Sequence, residues 1–76
     1  MIILPQTIIQ IVSAGGGMII DLEKHMLLPD TMVQIAAAAA HSGAKVTFKA
    51  GKVLLLPETM IRVAAAGRGN IIFEID

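Results

Sequence analysis

Seventy-six residues, 55% apolar and 16% charged, exclude a disordered chain and leave room for one small domain. Folding a chain this short removes only about 60% of its unfolded surface from water, so the apolar excess calls for an outlet beyond one small core, and self-association is the expected one. Six basic residues cancel six acidic ones and cysteine is absent, which removes the net attraction to nucleic acid or anionic lipid and every disulfide, thiol nucleophile or thiolate metal ligand.

The first four residues have no basic segment before them and meet Pro5 at once, and no apolar run approaches the roughly 18 residues of a membrane span. The chain is therefore expected to be soluble, without membrane insertion. An apolar triplet, Ile2-Ile3-Leu4, reads as a short strand and leads into the phrase Leu4-Pro5-Gln6-Thr7-Ile8-Ile9-Gln10-Ile11. The same phrase returns as Leu28-Pro29-Asp30-Thr31-Met32-Val33-Gln34-Ile35 and as Leu56-Pro57-Glu58-Thr59-Met60-Ile61-Arg62-Val63, at intervals of 24 and 28 residues. Intervals of that size mark a small repeating supersecondary unit. The single domain thus divides into three internal repeats, at about 1–25, 26–52 and 53–76.

Each phrase is a helix start. Proline at the first helical position gives up an N–H that would have no partner, and Asp30 and Glu58 favour the positive end of the helix dipole. At 100° per residue, positions three, four, six, seven and ten after proline fall on one arc. They hold Ile8, Ile9, Ile11, Val12, Gly15, then Met32, Val33, Ile35, Ala36, Ala39, then Met60, Ile61, Val63, Ala64, Gly67. The opposite face, with Gln10, Gln34, Ala37, His41 and Arg62 among its residues, is narrow and thinly polar, so part of it is expected to lie under other protein. The middle helix runs about one turn longer through Ala36–Ala40, and Gln34, Ala37, Ala38 and His41 form its candidate interface.

Helix one stops at Gly15-Gly16-Gly17, helix two at Ser42-Gly43 and helix three at Gly67-Arg68-Gly69, where glycine can turn left-handed. Alternating strands follow at 20–23, 46–49 and 71–76, with Leu22, Phe48 and Phe73 inward and Glu23, Lys49 and Glu74 outward. Short turns at Lys24-His25 and Ala50-Gly51-Lys52 suit hairpins back to Met26-Leu27-Leu28 and Leu54-Leu55-Leu56, read as second strands. The fold expected is α/β: three tandem strand-helix-strand repeats with all helices on one face of a mixed six-stranded sheet. A simpler solenoid of three strands and three helices is the alternative. The core is expected to centre on Ile8, Ile11, Leu22, Met32, Ile35, Phe48, Met60, Val63 and Phe73.

A strand, Leu-Pro, an acidic or amide residue, an alanine-rich helix, a small-residue stop and a turn back to Leu-Pro resembles the repeat modules of Gram-positive cell-surface proteins. The resemblance rests on Leu4-Pro5, Leu28-Pro29, Leu56-Pro57 and the stops, and it covers nearly the whole chain. It implies a spacer or adhesive part at the cell surface and brings no catalytic residue with it. Without it, the cytoplasm is the expected compartment.

Catalytic chemistry finds few candidates. The glycine triplet follows a helix, whereas phosphate loops precede one. His41 and Ser42 could be drawn into a triad with Asp21 or Glu23, but a helix end explains both residues. His25 sits in the charged turn Glu23-Lys24-His25, and two histidines are too few for a metal site. Residues 1–44 carry net −2 and residues 45–76 net +2. The basic residues fit an outward strand face with ordinary solubilising charge better than a nucleic-acid patch, since Phe48 and Phe73 point inward. The opposite signs also suit head-to-tail or antiparallel association of identical chains. Met32 and Met60 share a core position with Ile8. The sequence therefore points to a non-catalytic structural or interaction module with no cofactor or metal, whose partner is itself or a neighbouring repeat. A peptide- or ligand-binding domain using an exposed sheet edge is the alternative.

Overall fold

The computed structural model describes residues 3–75. Helices α1 (Pro5–Ser13), α2 (Pro29–Ser42) and α3 (Pro57–Gly67) alternate with strands β1 (Met18–Asp21), β2 (Val46–Lys49) and β3 (Ile71–Glu74). Every helix opens on its proline, as the repeated phrase predicts. The leucine before each proline is extended, with ψ of 147°, 150° and 139°, because proline's ring excludes the helical region one residue upstream. Its carbonyl then accepts the first helical bond: from Ile8 to Leu4 at 3.1 Å, Met32 to Leu28 at 3.0 Å and Met60 to Leu56 at 3.1 Å.

The helix ends follow the small residues with one change. Gly43 caps α2 at φ 83°, a left-handed turn that costs glycine nothing. In α3 the left-handed residue is Arg68, at φ 48°, and Gly67 stays helical. Gly67 is needed for space: a Cβ there would collide with the Ile71 side chain.

One parallel sheet forms in the order β1-β2-β3, with Met18, Val46 and Ile71 in one row, Ile20, Phe48 and Phe73 in another, and Asp21, Lys49 and Glu74 in a third. α2 packs against both α1 and α3, so the helices make one layer on one face of the sheet. The α/β repeat class and its single helical face are as expected. The mixed six-stranded sheet is not: the described sheet has three strands, all parallel, which is the solenoid alternative. The turns form, with Val53 N–H bonded to Ala50 O at 2.9 Å and His25 N–H to Asp21 O at 2.9 Å, but Met26–Leu28 and Leu54–Leu56 add no ladder. Three residues running straight into a proline that lacks a donor offer too few hydrogen bonds to hold a strand. They instead bridge the carboxyl end of one strand to the start of the next helix. In the first triplet Ile2 lies outside the described residues, as does Asp76 of the third predicted strand.

Ile8, Val12, Ile20, Leu22, Met32, Ile35, Ala36, Ala39, Ala44, Val46, Phe48 and Val63 form the buried core. Three expected members are displaced from it: Ile11 is exposed, and Met60 and Phe73 are half-buried. For Ile11 and Phe73 the reason is position in the stack, since among the described residues no helix precedes α1 and no strand follows β3. Ser42 ties the first two repeats together: its hydroxyl donates to Val12 O at 2.6 Å and accepts from Ala44 N–H at 3.2 Å. Ser42→Ala should therefore lower stability by about 1–2 kcal/mol in a urea titration, because two part-buried backbone groups lose a partner.

Candidate interaction surface

The residues that could have carried catalysis are dispersed. Ser42 precedes β2 at the amino end of the sheet, whereas Asp21 ends β1 at the carboxyl end and Glu23 lies just beyond it. Glu23 is already engaged, accepting from Lys52 N–H at 2.9 Å and so clasping the two turns together. His25 is half-buried within the first turn and His41 is exposed on α2. Among the described residues, no three histidine, aspartate or glutamate side chains converge as a metal ion would need. Nor is any described helix long and apolar enough to cross a membrane.

What the fold does build is apolar surface arranged by the repeat. The extended segments before each proline alternate: Leu27, Val53 and Leu55 turn toward the core, while Met26, Leu28, Leu54 and Leu56 turn to solvent, with Leu4 in the equivalent place of the first repeat. Met26 is 88% and Leu54 91% exposed. Together they make a ridge at the carboxyl end of the sheet. Met26, Leu54 and Leu56 also line a cavity of about 240 Å³ that opens between the last two repeats, together with Leu22, Met32 and Val53. The open face of the sheet carries a row of Ile19, Thr47 and Ile72 beside the charged row Asp21, Lys49 and Glu74, where Lys49 Nζ lies 3.8 Å from the Glu74 carboxylate.

The interface residues inferred from sequence separate into two sets. Gln34, Ala37 and His41 share the exposed face of α2, and Ala37 and His41 wall a groove of about 380 Å³ with Ala66 of α3 and Arg68, which caps that helix. Ala38 is half-buried and packs against the core. The sequence alone does not reveal the ridge, because a short apolar triplet fits a covered strand as well as an extended linker. The exposure of its leucines follows from the alternation of an extended segment that is covered on one side only. No family model matches the chain, and comparisons with curated proteins and with solved structures find no match.

Proposed function

We propose that this chain is a non-catalytic structural or protein-interaction repeat module that associates with itself or within a larger surface assembly. The observation that supports it best is the placement of its exposed large apolar side chains, which lie in rows set by the repeat. Leu4, Leu28 and Leu56 hold one such position and Met26 and Leu54 another. Gathered apolar surface marks interaction sites, whereas isolated exposed leucines do not, and Met26, Leu54 and Leu56 gather around one cavity. The exposed face of α2, with Gln34, Ala37 and His41, adds a second surface on which another chain could lie. A cell-surface setting is part of the same proposal and rests on the resemblance of the Leu-Pro repeat alone.

Sedimentation from micromolar to millimolar concentration tests the reading: the average mass should rise with concentration above the 8.0 kDa of the single chain. A mass constant over that range overturns self-association. Leu54→Ser should leave the folding midpoint nearly unchanged, within about 0.5 kcal/mol, since the side chain is 91% exposed. It should at the same time weaken whatever association uses the ridge.

A second reading, binding of an extended peptide, is favoured by the sheet edges. Among the described residues β1 and β3 are each paired on one side only, with β2. A monomeric chain whose β3 amides become protected from exchange on adding an apolar peptide would support this reading over the first.

A further inference from the structure

We propose that copies of this chain stack head to tail, with α1 and β1 of one copy extending the helical layer and the sheet beyond α3 and β3 of another. The proposal rests on the self-association reading and names its surfaces.

Two side-chain contacts show which side of a helix faces which neighbour. Ser42 Oγ donates to Val12 O at 2.6 Å, so the side of α2 that holds Thr31, Ile35, Ala38 and Ser42, at helical spacings of three and four, faces α1. Arg62 meets Asp30 at 3.3 Å, so the side holding Asp30, Val33 and Ala37 faces α3. Transferred by repeat position, the backward-facing side of α1 is Thr7, Ile11 and Ala14. The forward-facing side of α3 is Glu58, Ile61 and Ala65, with Ala64 beside them.

Burial follows this assignment. Ile35 and Val63, which have a preceding helix, are 0% exposed, and Ile11, which has none, is 37% exposed. Val12 and Ala36, which have a following helix, are fully buried, whereas Ala64 is exposed; Val33 is half-buried and its equivalent Ile61 is 68% exposed. The strands repeat the pattern. Val46, Phe48 and Ala50 are buried, but their row partners on the last strand side, Ile71 and Phe73, are half-buried and Ile75 is exposed. By chain order β2 lies between the crossovers through α2 and α3, whereas among the described residues no helix follows β3.

The missing helix must present small and apolar residues at the positions that Ile35 and Val63 hold, and α1 does. Parallel pairing of β3 with β1 of the next copy in the existing register would also set Ile72 beside Ile19 and Phe73 beside Ile20. Repeat arrays that end in water do so with polar capping repeats, whereas among the described residues the two outer faces carry Ile11 and Ala14, and Ile61 and Ala65, with Thr7 and Glu58 confined to the first helical turn. Because the two faces differ, the contact is heterologous and does not close on itself as an isologous dimer does. Among the described residues one pair opposes it: Glu74 would lie beside Asp21, a like-charge contact that salt screens.

Complementation at high salt, followed by sedimentation, tests the geometry. Ile11→Glu removes one face and Ile61→Glu the other, and each alone should lose association by more than about tenfold, since a carboxylate would be buried without a partner. Mixed in equal amounts, they should form a one-to-one dimer and nothing larger, because each keeps the face the other lacks. Ala14→Glu and Ala64→Glu, at exposed positions, form a second pair should either isoleucine variant fail to fold by circular dichroism. A mixture that stays monomeric overturns the stacking. So does undiminished association of both single variants, which would leave self-association standing through another surface. An unmodified chain that is monomeric throughout overturns both proposals.

Discussion

Phe48→Ala should cost about 3–5 kcal/mol and leave much of the population unfolded, because the ring is fully buried at the centre of the sheet. Total stability expected for 76 residues is only about 4–11 kcal/mol, so the loss is comparable to the lower end of that range. Phe73→Ala should cost far less, about 1–2 kcal/mol by the same scaling of loss with burial. Its ring stacks on Phe48 with centroids 6.0 Å apart, but it is half-buried and open toward the vacant side of β3. Urea titrations of both variants followed by circular dichroism separate the two values. A loss below roughly 1 kcal/mol for Phe48→Ala would mean that the inward face of the sheet is assigned wrongly.

The difference between these phenylalanines shows where local sequence stops being informative. Each obeys the same two-residue alternation, and alternation reports which face a side chain takes but not how many neighbours cover that face. The helix starts were legible because Leu-Pro imposes them through sterics that need no tertiary partner. The helical stops were legible for a similar reason, except at Gly67, whose role is to make room for Ile71 rather than to turn the chain. The triplets were misread as strands because a short apolar run fits a strand and an extended linker equally well. Only the sheet's pairing, parallel and limited to β1, β2 and β3, distinguishes the two. That misreading also hid the ridge, since leucines assigned to a covered strand would not be sought in solvent.

Ile11 and Ile35 occupy the same place in the repeated phrase, so substituting each by alanine measures what the stack adds to an identical side chain. Ile35→Ala should cost about 2–5 kcal/mol, as expected for a fully buried isoleucine whose removal leaves a cavity between α1 and α2. Ile11→Ala should cost less, about 1–2 kcal/mol at low concentration, because a side chain 37% exposed loses less apolar burial and its site can collapse toward solvent. The comparison changes with concentration if Ile11 belongs to the joint between copies. Association that buries Ile11 stabilises the folded state by mass action, so unfolding midpoints of the unmodified chain should rise with concentration while those of the Ile11→Ala variant rise less. Ile35→Ala should keep the concentration dependence of the unmodified chain and shift the whole curve downward. Parallel curves for the unmodified chain and Ile11→Ala would remove Ile11 from any interface, and equal losses for the two variants at low concentration would contradict the end-face assignment itself.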